Sequence, residues 1–416
     1  MKFIDFRIAP EICENLDRLG WRRPTDIQYK AIPPILNGED VLAIAQTGTG
    51  KTAAFAIPIT HQLHYRKRSK RTEGIRCLVM VPTHELAIQV KEAFTEIGKH
   101  SRVKSFAIFG GVEQDPQIAQ LQKGLDVLIA TPGRVFDLVS QGFLDLSNVE
   151  TLVLDEADHM LALGFYSDIR DLLRHLTHKR QTLFFSATID EQIKKLAYSL
   201  VVNAIRIQIS PKNPVARNIN HAVAFIEMDD KRFFLERFVK ENPESKILVF
   251  VRTKVRAERV AKAMGRVEIK SLTLHGDKEQ KDRFEALTAF REGKTNLLIA
   301  TDVSARGIDI EGVEYVINYD VPDQAENYVH RVGRTGRASK KGQALSFISE
   351  QEKPMLETIE GYLGHSIDRL EVENKEYKDT IMLTADHSSD WKSLMKEAQA
   401  IDEKPKKRKN KNRKKR

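Results

Sequence analysis

The tetrapeptide LIAT occurs twice in this chain, at Leu128–Thr131 within DVLIATPGR and at Leu298–Thr301 within NLLIATDVSARG. Each copy closes a short apolar run and is followed at once by small, polar or charged residues. An apolar run without alternation fits a strand buried on both faces, as in a parallel sheet covered by helices. The first half holds further runs of this kind: VLAIA (Val41–Ala45), RCLVMV (Arg76–Val81), TLVL (Thr151–Leu154) and TLFF (Thr182–Phe185). KILVFV (Lys246–Val251), SLTL (Ser271–Leu274) and YVINY (Tyr315–Tyr319) repeat the pattern in the second. Helix-length segments separate them, so the expected fold is α/β, a tandem pair of doubly wound parallel sheets. The join is expected near QISPKNPVARNIN, Gln208–Asn220, where two prolines interrupt the periodicity.

A chain of 416 residues is long for one core and suits two domains of about 150 residues with a remainder. No apolar run approaches the ~18 residues that would span a bilayer, and MKFIDFRIAPE interrupts its apolar residues with charge, unlike a signal peptide. A cytoplasmic protein without a membrane partner is expected. Cys13 and Cys77 lack metal-ligand spacing and fit reduced thiols.

The net charge of +9 is localised. Ten of the 67 Lys and Arg residues fall in the last thirteen, KPKKRKNKNRKKR, and the other 57 face 58 acids. The body is balanced, and the tail is expected to be a disordered arm suited to phosphate backbones. A cluster at Arg66–Arg71, RKRSKR, fits a solvated loop.

In doubly wound sheets ligands bind beyond the carboxyl ends of the strands. QTGTGKT, TPGR, DEAD, SAT and TDVSARG all fall there, which points to one crevice made by both halves. AQTGTGKT, Ala45–Thr52, is a small-residue turn between strand and helix whose N–H groups can cradle phosphate. Lys51 can reach the β- and γ-phosphates, and the Thr52 hydroxyl can hold Mg²⁺. TLVLDEADHM places Asp155, Glu156 and Asp158 at a strand end, where a bland reading is a strand-to-helix junction with an N-cap. Beside a phosphate loop, Asp155 suits a phosphate-bound Mg²⁺ and Glu156 suits a base for the attacking water. HRVGRTGR, His330–Arg337, offers Arg331, Arg334 and Arg337 as arginine fingers from the second half, with Arg334 and Arg337 spaced for one helical face.

RRPTDIQ, AQTGTGKT, PTHELA, Gly110–Gly111, TPGR, DEAD, SAT, VFVRT, QKDR, TDVSARGID and HRVGRTGR, in that order after Phe3, resemble the motif set of DEAD-box ATP-dependent RNA helicases. The spelling and short basic tail look closest to bacterial RhlE-like members. The resemblance spans about residues 1–365 and implies two RecA-like domains, 1–208 for ATP binding and 218–365 for the second helicase domain. A C-terminal extension, 366–416, would end in the basic tail, 404–416. ATP and Mg²⁺ are the implied cofactors. Phe3, Arg23, Gln28, Thr47, Gly48, Thr49, Gly50, Lys51, Thr52, Gly307 and Asp309 would contact nucleotide, with Gln28 reading the adenine edge and Phe3 stacking nearby. Thr52 and Asp155 would serve the metal. Ser186, Thr188 and His330 would couple ATP state to RNA opening. Thr83, His84, Gly111, Thr131, Arg134, Gly276, Arg283 and Thr301 would hold single-stranded or short duplex RNA by its backbone, with little base specificity.

One departure stands out: the family usually has Arg where this chain has His84, which puts one phosphate contact in doubt. His84 as a weak neutral contact, as a contact strengthened by acid, or as a residue turned toward its neighbours are all open. DWKSLMKEAQA, Asp390–Ala400, has the spacing of a short amphipathic helix, for core packing or for a partner. The expected activity is ATP-dependent local unwinding of RNA by a monomer, with ribosomal or degradosome-type assemblies as further partners. An ATP-gated RNA clamp or annealing and remodelling factor is the alternative, and a DNA-translocating motor is disfavoured by the RNA-type motif set. Deleting Lys404–Arg416 is expected to leave RNA-saturated ATPase intact and to weaken RNA binding. Each lost phosphate contact should flatten the log-log salt dependence of single-strand binding by ~0.7.

Overall fold

The computed structural model describes residues 2–46, 48–69, 74–209, 215, 218–305, 310, 312–336 and 341–385. Two seven-stranded sheets form the frame. The first contains β1 (Val41–Ala45), β2 (Cys77–Met80), β3 (Ser105–Ile108), β4 (Val127–Ala130), β5 (Thr151–Leu154), β6 (Gln181–Ser186) and β7 (Ile205–Ile209). The second contains β8 (Ile219–Phe225), β9 (Ile247–Val251), β10 (Leu272–Leu274), β11 (Leu297–Thr301), β12 (Tyr315–Asn318), β13 (Gly342–Ile348) and β14 (Asp368–Leu370). Their orders are β3-β4-β2-β5-β6-β1-β7 and β10-β11-β9-β12-β13-β8-β14, so that counted from the first strand of each half the two are the same. All pairings are parallel, from Val41↔Leu183 in the first sheet to Leu298↔Leu248 in the second. The two LIAT copies end β4 and β11, the fourth strand of each sheet.

Burial explains why the central strands are apolar throughout. Val41, Ala43 and Ala45 of β1 enter one core, while Leu42 and Ile44 enter the core on the other face. Ile247, Val249 and Val251 of β9 split from Leu248 and Phe250 in the same way. A sheet with helices on both sides leaves no polar face, so period-two alternation disappears. Edge strands differ: β7 buries only Ile207 fully, and all of β14 is exposed.

β14 pairs with β8, as in Asp368↔Ala222, and the helix Asn374–Ala385 packs on the helix Lys231–Glu241. Tyr377 donates its hydroxyl to Asp230 Oδ2 at 2.8 Å, and Arg237 pairs with Glu376 at 2.8 Å. The second sheet and its covering helices therefore run past residue 365, where the boundary was expected. The Asp390–Ala400 segment, the basic tail, most of the linker and part of the Arg66–Arg71 cluster lie outside the described residues.

A buried cation cluster helps to hold the second half together. Lys231 Nζ meets Glu352 Oε2 at 2.5 Å and donates to the Tyr319 carbonyl at 2.8 Å. Glu352 also accepts from Val321 N–H and from Ser349 N–H and Oγ, so one carboxylate joins the ends of β12 and β13 to a helix start. Lys231→Met is expected to cost about 3–5 kcal/mol, because Glu352 stays charged in a dry site without its partner. Urea unfolding with an unchanged m-value would register this loss.

Candidate functional site

The phosphate loop follows β1. Gly48 and Gly50 adopt φ of +80° and +92°, a region that side chains disfavour, and Lys51 begins the helix Lys51–Ser69. Thr25 and Gln28, at the start of the helix Asp26–Leu36, brace this loop. The Thr25 hydroxyl donates to the Thr49 carbonyl at 2.8 Å, and Gln28 Nε2 donates to the Gly50 carbonyl at 3.2 Å. A Cβ on Gly50 would stand 2.5 Å from Gln28 Nε2, so the brace needs glycine there. Lys51 is buried, and its Nζ has no hydrogen-bond partner. An ammonium held dry without an acceptor suits an incoming phosphate.

Asp155 and Glu156 lie at the end of β5, two strands from β1, with β6 between them. Glu156 takes φ 52° and ψ 49°, rare for a residue with a side chain, and sits at the N-cap of Ala157–Ala162 without a capping bond from its side chain. The junction reading therefore does not account for these carboxylates. Burial pushes Asp155 up to about 7, against the pull of Lys51 and with repulsion from Glu156 adding to it. Burial also works to raise Glu156, but His159, Lys51 and Arg334 together hold it low, at about 2. His159 Nδ1 is 3.7 Å from Glu156 Oε2.

Asp158, the third carboxylate, faces β6. Its Oδ2 accepts from Ala187 N–H, Thr188 N–H and the Thr188 hydroxyl, each at 3.2 Å. The SAT turn is thus tied to the carboxylate strand beside the phosphate loop, and Ser186 is fully buried. Neither Asp158 nor His159 had been singled out from sequence for these contacts. Three acids within four residues was the signal available.

Residues of the second half reach the same place. Arg334 is buried, donates through Nε to the His330 carbonyl at 3.0 Å, and its charge acts on Glu156. The helix Ala325–Val332 ends before it, so Arg334 occupies a turn and not the helical face expected from its spacing to Arg337. Arg331 is no arginine finger. It is enclosed at 1% exposure, grips Asp302 with Nε and Nη2 at 2.6 and 2.7 Å, and donates to the Asp320 carbonyl at 2.6 Å. Every guanidinium nitrogen is spent on the fold.

Thr83, Gly111, Thr131, Gly276 and Thr301 all fall at or just past the carboxyl ends of their strands, as expected for a shared crevice. Arg134 donates to the Val112 carbonyl at 2.9 Å and keeps Nε and Nη1 unpartnered. Arg283 pairs with Glu85 of the first half at 2.7 Å. His84 Nδ1 lies 2.7 Å from Gln280 Oε1, also across the crevice. Phe3 is buried against Phe6, with ring centroids 6.5 Å apart, instead of standing open for stacking. Arg23 is exposed, and Thr47, Gly307, Asp309 and Arg337 lie outside the described residues.

Two RecA-like sheets, a phosphate loop on one and an arginine supplied by the other define a bilobed nucleoside triphosphatase. Residues 25–196 match the DEAD/DEAH box helicase model and residues 230–339 the helicase conserved C-terminal domain. ATP-dependent RNA helicase DbpA and DEAD-box ATP-dependent RNA helicase CshA, both of Bacillus subtilis (strain 168), are each 39% identical, over 90% and 88% of this chain and 77% and 74% of their own lengths. The structure of S. cerevisiae Dbp5 bound to RNA and ADP BeF3 superposes with a TM-score of 0.80 at 28% identity, covering 96% of this chain and 99% of that one. The chain belongs to the DEAD-box ATP-dependent RNA helicases. These relatives lend no support to the RhlE-like subgrouping expected from motif spelling.

Gly50→Ala tests the loop. Forcing a side chain into that φ and against Gln28 costs about 1–3 kcal/mol of strain. ATP affinity is expected to fall about tenfold or more, measured with a fluorescent ATP analogue at a temperature where the variant stays folded, and the strain itself should lower the melting temperature by about 2–4 °C per kcal/mol.

Proposed function

We propose that ATP binds the loop Gln46–Thr52, that RNA lies across both domains on backbone contacts, and that both together close the crevice, open a few base pairs and then release the strand on hydrolysis. One observation carries this reading: a buried Lys51 without a hydrogen-bond partner lies at the same end of the first sheet as Asp155 and Glu156, and the second domain closes onto that sheet through Arg283 on Glu85 and Gln280 on His84, each at 2.7 Å, with Arg334 the charge proposed at Glu156. A catalytic set divided between two domains is complete only when they close.

In the proposed step a water oxygen attacks the γ-phosphorus, the bond to the β–γ bridging oxygen breaks, and the water proton passes to Glu156. Lys51 and Arg334 would stabilise charge on the transferring group. His159, Lys51 and Arg334 together hold Glu156 ionised in the free protein, and engagement of the two cations by phosphate would raise its basicity. Asp155 and Thr52 fit a phosphate-bound Mg²⁺, which would neutralise phosphate charge when present. A buried Asp155 raised to about 7 is a carboxylate short of positive charge. Among the described residues no group of three or more acidic, His or Cys side chains could hold a metal alone, consistent with an ion that arrives on the nucleotide.

Gln28 and Arg23 are proposed at the adenine, Thr188 and His330 in coupling, and Thr83, Thr131, Arg134, Gly276, Arg283 and Thr301 on RNA. We further infer a cytoplasmic monomer that serves ribosomal or degradosome-type assemblies. Among the described residues no helix is long and apolar enough to cross a membrane. An ATP-gated clamp is the alternative, but it would not need Lys51, Glu156 and Arg334 assembled for turnover.

Glu156→Gln keeps the size and removes the base. ATPase is expected to drop by ~10²-fold or more while ATP and RNA binding persist. The measurement pairs RNA-stimulated with DNA-stimulated turnover. Near-normal ATPase in the variant, or equal stimulation by DNA, would sink the assignment.

A further inference from the structure

The contact between the two domains at His84 is built from more than one kind of interaction. His84 begins the helix His84–Ile97, fixed by the Thr83 hydroxyl, which accepts from Leu86 N–H at 3.3 Å. Gln280 begins the helix Gln280–Arg291 of the second domain. Gln280 Oε1 lies 2.7 Å from His84 Nδ1, and Gln280 Nε2 donates to Glu85 Oε1 at 3.2 Å. Glu85 Oε1 also takes Arg283 Nη2 at 2.7 Å. The imidazole stacks on Phe109, with centroids 5.3 Å apart and planes 26° apart, and Phe109 in turn meets Phe284 of the second domain at 6.2 Å. Gln280 and Glu85 are both buried, so these bonds form out of water.

We propose that His84 is a positioning residue that latches the domains shut through Gln280, so that closure in this chain draws on protein contacts where an arginine would draw on an RNA phosphate. The geometry assigns the imidazole two partners, the Phe109 ring on its face and the Gln280 amide at its Nδ1. Burial lowers its proton affinity below the ordinary value, with Arg283 and Arg134 adding to this and Gln280 and Glu85 opposing it. A neutral imidazole is a poor ligand for phosphate. Arg134 retains unpartnered N–H groups beside it and is left to grip the backbone. This inference rests on the RNA-helicase reading.

The consequence is a closed state less dependent on RNA and less dependent on salt than an arginine at this position would give. Fluorescence energy transfer between one dye on each domain of the full chain reads closure directly, with a non-hydrolysable ATP analogue and with or without single-stranded RNA. His84→Ala and Gln280→Ala are each expected to reduce the closure constant about 2- to 10-fold, the scale of one hydrogen bond. The double variant should lose less than the sum of the two single ones, because both remove the shared His84–Gln280 bond, although each also removes a contact of its own, the stack on Phe109 or the bond to Glu85. His84→Asn, which keeps a donor at that point, should recover most of the loss. His84→Arg should lower closure without RNA and steepen the log-log salt dependence of RNA binding by ~0.7.

Additive losses, silent single variants, or a salt slope flattened by ~0.7 in His84→Ala would overturn the latch, the last because it is the mark of a lost phosphate contact. Melting temperatures measured alongside separate a folding defect, which the Asn variant is chosen to avoid. A wild-type chain that closes while the latch variants are silent removes only the latch. A wild-type chain that fails to close when both RNA and the ATP analogue are added removes the helicase reading and the latch together.

Discussion

Buried charge at the carboxyl ends of the first sheet governs this molecule. Lys51 just beyond β1 and Asp155 with Glu156 at the end of β5 are all withdrawn from water; Lys51 Nζ has no hydrogen-bond partner, and burial leaves Asp155 poorly ionised in spite of the pull of Lys51. Such a cluster is tolerable only where the surrounding fold over-determines it. Helices and strands on both faces do so here, down to the left-handed backbone at Glu156. In the proposed reading, phosphate would supply anion to Lys51, a metal-bearing nucleotide would supply cation to Asp155, and Arg334 from the other domain would complete the set, making closure and catalysis one event.

The strand between them explains how the event is felt elsewhere. β6 separates β1 from β5 and ends in the SAT turn, whose two backbone amides and one hydroxyl converge on Asp158. In the proposed reading, a shift of the segment after β5 toward nucleotide would reach that turn through these three bonds, each at 3.2 Å, which would give Asp158 a mechanical part beside the chemical parts proposed for Asp155 and Glu156.

The second sheet has the same strand order as the first, yet its equivalent turns carry different chemistry. TPGR follows β4, and TDVSARG begins at the end of its counterpart β11. Asp302 of that second turn is consumed in holding Arg331, and this pair shapes the loop that presents Arg334. In the proposed reading one half binds the nucleotide and the other supplies charge to it. The division requires an interface, and His84, Glu85, Gln280 and Arg283 form part of it from residues far apart in the chain.

The amino-acid sequence by itself determined the central strands, because burial on both faces demands unbroken apolar runs, and it located the site, because strand-end loops of glycine, lysine and carboxylate have few structural uses. It also carried the duplication, in a tetrapeptide that closes the same strand twice. Edge strands β3, β7 and β14, and the less uniform β8 and β13, escaped that reading, since a half-exposed or glycine-bearing strand shows no continuous apolar signal. Only the tertiary structure decided among neighbouring side chains of one type. Arg331 and Arg334 are three residues apart and equally charged, but the first lies within the helix Ala325–Val332 and turns into the core toward Asp302, whereas the second lies in the turn beyond it, against the His330 carbonyl. His84 was undecided for the same reason: its partner Gln280 lies 196 residues away, and distance in sequence carries no information about which side chain will face another once two domains meet.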